Sequence, residues 1–271
     1  MFSVSGLRGI AGQDLTPPLI RHYAKLFGHF HQARSIVIGR DCRPSGPAFR
    51  DAVVQGLEEI GVRVIDLGIA PTPTVCFMVR RLRAQAGIAI TASHNPLQWN
   101  ALKFITDRGE FPVQREFYSF LKFVKKNEPI PAARRSGTCL KQHRGTAVHI
   151  RRIIDHLGLS RLGLNVGVDA VCGTGSLAIP ELLKRAGCRV HELNCTYAER
   201  FPRPPEPTPK HITGLCRLVK NKKLDLGFAV DPDSDRLSIV DDRGRAIGEE
   251  RLEALPWATL CIDDKRKQER G

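Results

Sequence analysis

A chain of 271 residues has the length of about two domains of ~150 residues each, and its 42% apolar and 26% charged content excludes a collagen-like, low-complexity or wholly disordered protein. No apolar run is long enough to span a bilayer, and Met1-Phe2-Ser3-Val4-Ser5-Gly6 lacks the basic start and apolar core of a secretory signal, so the expected location is the cytoplasm. The formal charge is +14, yet the basic residues are dispersed and aromatics make up only 6%; the pattern suits a phosphorylated small molecule, with neither nucleic acid nor a membrane expected as partner.

From the N-terminus, His29-Phe30-His31 reads as the exposed end of a helix rather than as two metal ligands on a strand. Residues 35–69 read as a βαβ unit. Ser35–Gly39 is an apolar β run, and Phe49, Val53, Val54, Leu57 and Ile60 recur at helical spacing. Gly61 stops that helix, and Val62–Leu67 alternates as a second strand. Gly87–Ile90 is a buried-looking strand. Phe117, Leu121 and Val124 mark an amphipathic helix that Asn127–Pro131 breaks. Residues 134–145 are polar, basic and weakly patterned, and the domain boundary is expected near there.

Residues 165–193 repeat the same grammar. Asn165–Asp169 is a strand, Gly173-Thr174-Gly175-Ser176 a Gly-rich turn, and Leu177–Ala186 a helix with Pro180 placed in its first turn. Cys188–Leu193 is the next strand. Arg203–Pro209 reads as a rigid, partly polyproline connector. After Glu250 periodicity fades, and Asp263–Arg270 is a charge run expected to fray. Two βαβ units about 130 residues apart imply an α/β protein of two related three-layer α/β/α domains with mixed, largely parallel sheets. The eight cysteines form no CxxC pair, which argues for buried, reduced thiols and against a zinc site.

Two segments carry chemistry. Asp231-Pro232-Asp233-Ser234-Asp235-Arg236 lies between the apolar strands Leu226–Val230 and Leu237–Val240. Three carboxylates at every second position repel one another unless a cation compensates, and converging carboxylate oxygens suit Mg²⁺. An EF-hand would need Gly and Glu where Arg236 and Asp242 stand, so that reading fails; a solvated acidic turn is the plain alternative. The second segment, Thr91-Ala92-Ser93-His94-Asn95-Pro96, puts a hydroxyl on a tight turn at a strand end, where α/β folds place ligands. No Gly-x-Ser-x-Gly elbow is present, which argues against a hydrolase triad. A hydroxyl nucleophile, an acidic cation site and a basic chain together point to phosphoryl transfer.

Ser5-Gly6-Leu7-Arg8-Gly9, the Ser93 loop, Asn100-Ala101-Leu102-Lys103 and Asp231–Arg236 occur in the order found in the α-D-phosphohexomutases, and the chain resembles that family from about residue 3 to about residue 250. Gly39–Arg43, Gly68–Pro73 and Pro205-Glu206-Pro207 add to the likeness. The family moves a phosphoryl group between O1 and O6 of a hexose through a phosphoserine and a 1,6-bisphosphate intermediate. The resemblance implies that Ser93 is the phosphoserine and that Asp231, Asp233 and Asp235, with the Ser93 phosphate, hold Mg²⁺. It implies that Arg8 and Arg236 contact the transferring group. Lys103 becomes the candidate general acid/base, with His94 as an assistant. The expected substrate is a phosphorylated hexose and the expected primer a hexose 1,6-bisphosphate.

Residues 1–140 then correspond to domain I with the phosphoserine loop and 141–250 to domain II with the metal loop, while 251–271 form a divergent charged tail. Ala101, where many members have Gly, and the Asp-Pro-Asp-x-Asp-Arg loop are usual in the phosphoglucosamine mutase-like branch, so glucosamine 6-phosphate to glucosamine 1-phosphate is the expected conversion, with mannose and glucose phosphates as alternatives. Family members have four domains, so the resemblance implies truncation after the second. Three readings follow. One is a mutase, with the missing walls supplied by a homodimer or a separate chain. The second is a non-catalytic Mg²⁺-binding remnant that has lost the orientation a cleft provides. The third is a phosphatase or phosphodonor that passes the phosphoryl to water in an open cleft.

Overall fold

Ser35–Arg40 is apolar on both faces, as befits a parallel strand covered by helices on each side, and it organises the first sheet. The computed structural model describes residues 2–3 and 6–247 and divides the chain into two compact units between His149 and Ile150. The sequence features assigned to Gly248–Gly271, Cys261 and the charged tail included, lie outside the described residues, as does Ser5.

The first unit contains β1 (Phe2–Ser3), β2 (Gly6–Ile10), α1 (Pro17–Phe30), β3 (Ser35–Arg40), α2 (Gly46–Glu59), β4 (Arg63–Ile69), α3 (Thr72–Leu82), β5 (Ala86–Ile90), β6 (Trp99–Thr106), α4 (Gln114–Lys126) and β7 (Cys139–Lys141). The strands form one mixed sheet in the order β1-β2-β6-β5-β3-β4-β7. From β5 to β7 neighbours run parallel, and from β1 to β5 they run antiparallel. One face buries Ile36, Ile38, Ile88, Leu102 and Phe104 against apolar residues of α1, α2 and α4. The other buries Val37, Ile65, Ala89 and Ile105 against Val75, Met78 and Val79 of α3.

Three sequence expectations are corrected here. β4 alternates in sequence yet is buried continuously from Val64 to Leu67, because helices cover both sides; its Asp66 is met by the Arg50 guanidinium at 2.8 Å. The polar stretch 134–145 supplies β7, parallel to β4. The division between the two units falls inside α5 (Gly145–Leu157), a few residues past that stretch. His29 is exposed as expected of a helix end, but His31 is half-buried with its ring 4.5 Å from that of Phe27. Burial lowers its pKa, against the opposing pull of Asp107 and Glu116. Burial also lowers the pKa of His149, which stacks on Phe77 and shares a hydrogen bond with the Thr74 hydroxyl.

The second unit holds β8 (Asn165–Asp169), α6 (Gly175–Arg185), β9 (Arg189–Leu193), α7 (Thr213–Lys222), β10 (Leu226–Val230) and β11 (Leu237–Val240). Its sheet order is β11-β10-β8-β9, with only the β10–β11 pair antiparallel. Ile212, Leu215 and Val219 of the α7 segment pack on Ala229 and Val240. α6 begins at Gly175, so Pro180 sits past its first turn; there it removes an interior N–H donor, which the sequence reading did not anticipate. The fold class agrees with the sequence expectation, the first sheet being more evenly mixed than largely parallel. The cysteines of the described residues are free thiols; burial raises the thiol pKa of several of them, Cys195 to about 11.

Candidate active site

Each unit places one of the two candidate loops beyond the C-terminal end of a strand that has a parallel neighbour. In the first unit the loop joins β5 to β6. Ser93 is buried and adopts a left-handed backbone, φ +52°, a conformation that costs a residue with a Cβ roughly 1–2 kcal/mol. The Ser93 N–H donates to the Thr91 hydroxyl at 2.9 Å, and that hydroxyl donates to Asp41 Oδ2 at 2.7 Å. Asp41, just past β3, also pairs with Arg43 at 3.0 Å, both side chains fully buried.

The Arg43 guanidinium reaches further into the same loop. Nη2 donates to the carbonyls of Ser93 and Asn95 at 2.7 and 2.8 Å. Nη1 donates to those of Pro96 and Trp99. In the sequence Arg43 belongs only to a family-like stretch, with no part in the site. A charged residue in a turn reads as solvated, and burial, its one distinguishing property, is not written in the sequence.

Arg8 on β2 lies opposite Ala101 in the β2–β6 ladder, and its Nη1 donates to Asn95 Oδ1 at 2.8 Å. The preceding Gly6, at φ +104°, allows the close approach, since a Cβ there would fall 2.0 Å from the Leu102 carbonyl oxygen. Asn100 is buried and donates to the Ser45 hydroxyl. Lys103 is only 5% exposed, and its Nζ lies 5.7 Å from the centroid of the Phe111 ring, within cation–π range. His94 is half-buried beside Ser93 in the loop. Ser93, His94, Arg8 and Lys103 thus all belong to the first unit, the first two on the β5–β6 loop, Arg8 on β2 and Lys103 on β6.

In the second unit the loop joins β10 to β11. Asp231, Asp233 and Asp235 each bring a carboxylate oxygen within 4.8 Å of the others. Asp231 and Asp233 are buried at 0% and 1% exposure, and Asp235 is exposed. Asp231 Oδ1 accepts the N–H groups of Asp235 and Arg236. Such a convergent all-oxygen set, half open to solvent, fits a hard divalent cation. The Gly-rich turn is its support. The Thr174 N–H and hydroxyl both donate to the Pro232 carbonyl, and Gly173 leaves room because a Cβ would lie 2.6 Å from that oxygen.

The segment 203–209 is more than a connector. Arg203 donates to Asp169 Oδ2 at 2.8 Å and to the Val230 carbonyl at 2.9 Å, at the foot of the aspartate loop. Glu206 pairs with Arg236 at 2.9 Å, and the Ser238 hydroxyl donates to the Pro207 carbonyl. Glu206, Thr208, Asp235, Arg236 and Ser238 line a cavity of about 420 Å³. In the sequence Arg203 belongs to a connector, and like Arg43 it is set apart by burial, its side chain being 8% exposed; Glu206 stands only in a family-like stretch.

Residues 1–117 match the description phosphoglucomutase/phosphomannomutase, alpha/beta/alpha domain I, and residues 148–244 match domain II of the same description. The chain belongs to the phosphoglucomutase/phosphomannomutase family. It is 31% identical over 270 residues to the phosphoglucosamine/phosphogalactosamine mutase of Sulfurisphaera tokodaii, covering 96% of this chain and 59% of that protein. To the phosphoglucomutase/phosphomannomutase of Thermococcus kodakarensis it is 33% identical over 268 residues, covering 94% and 58%. The chain therefore spans less than two thirds of the length of these relatives. Among solved structures, the phosphoglucomutase/phosphomannomutase family protein of Burkholderia thailandensis superposes with a TM-score of 0.80 at 27% identity, over 93% of this chain and 58% of that one.

Proposed function

We propose that this chain carries the phosphoserine and metal sites of a phosphohexomutase, and that the hexose is glucosamine phosphate, exchanged between its 6- and 1-phosphates. The observation that supports this reading best is the pair of loops on like sheets, one offering a hydroxyl and the other three convergent carboxylates. The unit that ends at His149 then acts as the phosphoryl-carrying domain and the unit that begins at Ile150 as the metal domain.

In the proposed reaction the Oγ–P bond of the phosphorylated Ser93 breaks as the phosphoryl passes to a free sugar hydroxyl, and the hydroxyl proton passes by way of Lys103 or His94 to the released Ser93 Oγ. The 1,6-bisphosphate reorients, and Ser93 Oγ takes the other phosphoryl back as its sugar O–P bond breaks and the Ser93 proton passes to the freed sugar oxygen. The cation held by Asp231, Asp233 and Asp235 would offset the charge of the transferring group. Arg8 and Arg236 add guanidinium donors to its oxygens. Arg236 must exchange Glu206 for phosphate, an inexpensive change because an exposed ion pair is worth about 0.2–1 kcal/mol.

The test is phosphoryl uptake from a hexose 1,6-bisphosphate with Mg²⁺, followed by isomerisation of glucosamine 6-phosphate, glucose 1-phosphate and mannose 1-phosphate in turn. Uptake at Ser93, lost in Ser93→Ala, lost when Mg²⁺ is chelated and restored when Mg²⁺ is added back, is the expected result. Wild-type uptake at another residue, or equal uptake by Ser93→Ala, overturns the assignment. A preference for mannose or glucose phosphate overturns only the choice of sugar.

A further inference from the structure

We infer that Arg43 is the positioning residue of the Ser93 loop, acting by turning the N–H groups of His94 and Leu97 outward as donors to a phosphoryl group on Ser93. The inference deepens the proposed function and rests on it for the identity of the anion. Its structural half stands alone.

A guanidinium has five N–H donors in a rigid fork. At Arg43 they meet five acceptors: Asp41 Oδ2 and the carbonyl oxygens of Ser93, Asn95, Pro96 and Trp99. Four carbonyls from a seven-residue span are thereby drawn toward one fully buried cation. In a planar trans peptide the C=O of one residue and the N–H of the next point in opposite directions. Drawing in the carbonyls of Ser93 and Pro96 therefore turns the N–H groups of His94 and Leu97 away from Arg43. Asn95 leads into Pro96, which has no N–H to turn. Backbone N–H groups turned to one side of a loop attract anions; that of His94 belongs to the peptide that follows Ser93, and that of Leu97 stands four residues on in the same loop. The Asp41 carboxylate neutralises the guanidinium, so Arg43 acts through loop geometry rather than as a direct phosphate contact. Lysine keeps the charge but presents three donors on a point, too few for five acceptors.

Arg43→Lys separates geometry from charge. Hydrogen exchange is expected to quicken at least tenfold across 91–98 in this variant, with β3 and α1 unchanged. With phosphoserine installed at position 93 during translation, the His94 and Leu97 amide protons are expected to shift downfield relative to the serine form in the wild type, and not in Arg43→Lys. Phosphoryl uptake from the bisphosphate is expected to fall at least a hundredfold in kcat, with KM within threefold. Unchanged exchange, or amide shifts equal in both proteins, overturns the inference. If Arg43→Lys loosens the whole unit, seen as faster exchange in β3 and α1 too, the wild-type amide shifts decide, and their absence overturns it. Shifts and exchange as expected without uptake by the wild type would sink the phosphoryl-carrier reading and leave the positioning role standing.

Discussion

The β5–β6 loop and the β10–β11 loop occupy the same place in two sheets of the same order, β6-β5-β3-β4 and β11-β10-β8-β9, yet they are prepared for opposite charges. Each contains one non-glycine residue with a left-handed backbone, Ser93 at φ +52° and Ser234 at φ +60°. Each stands beside a buried Asp–Arg pair at the end of the central strand, Asp41–Arg43 and Asp169–Arg203. In the first loop a guanidinium gathers the carbonyls, which leaves N–H groups turned out for an anion. In the second, Asp231 gathers the N–H groups of Asp235 and Arg236, which uses up donors, and the remaining carboxylates suit a cation. One backbone framework takes either sign according to which end of the peptide dipole is held inside.

The largest effect that tests this contrast is on stability. Asp41→Asn strands a fully buried guanidinium, and removing one partner of such a pair costs about 3–5 kcal/mol. Asp169→Asn is expected to cost less, because Arg203 keeps 8% side-chain exposure and holds only one carbonyl beyond its own segment. Urea denaturation of the two variants checks the order; equal losses would break the contrast.

Metal binding comes next. Mg²⁺ at a hundred times its Kd stabilises a protein by about 2.7 kcal/mol, so the wild-type melting temperature is expected to rise with Mg²⁺. Asp233→Asn should remove most of that rise while melting no lower than the wild type without metal, since it relieves carboxylate repulsion. Gly173→Ala follows, at about 1–3 kcal/mol for a Cβ forced into packed backbone. Its clash is with Pro232, so it should also weaken the Mg²⁺ response; a normal response would show that the Gly-rich turn does not support the metal loop.

The smallest effect is on pH dependence. His31 and His149 have pKa values lowered by burial, so the unfolded chain binds their protons more readily than the folded one. The folded state is then undisturbed above the ordinary histidine pKa near 6.5 and loses stability as pH falls through that value and past the lowered folded ones. His31→Gln is expected to flatten part of this fall in melting temperature between pH 7 and 5. An unchanged slope would remove His31 from the account.

Much of the fold was legible because it is written in local pattern. Apolar runs at 35–39, 87–90 and 226–230 became β3, β5 and β10, and the spacing of Phe49, Val53 and Leu57 became α2. β7 was not legible, since Cys139-Leu140-Lys141 has no strand pattern and exists as a strand through its pairing with β4. The Pro180 position was missed because Gly175 reads as turn while it opens the helix. The Ser93 loop and the aspartate loop stood out from their residue types alone. Their supports did not, because Arg43, Arg203 and Thr174 are ordinary polar residues until burial gives each a defined partner.

The sequence by itself determined the α/β class, the repeat of two βαβ units and the Ser93 and aspartate loops as candidates for the site, since periodicity and carboxylate spacing are local properties of the chain. Only the tertiary structure decided that the two sheets share one strand order and that the last strand of the first sheet comes from a polar segment. It also decided that a buried arginine at 43 and a threonine at 174 fix the backbone beneath the active loops. Those outcomes depend on long-range pairing and on burial, where a polar group is stable only when its hydrogen bonds are made.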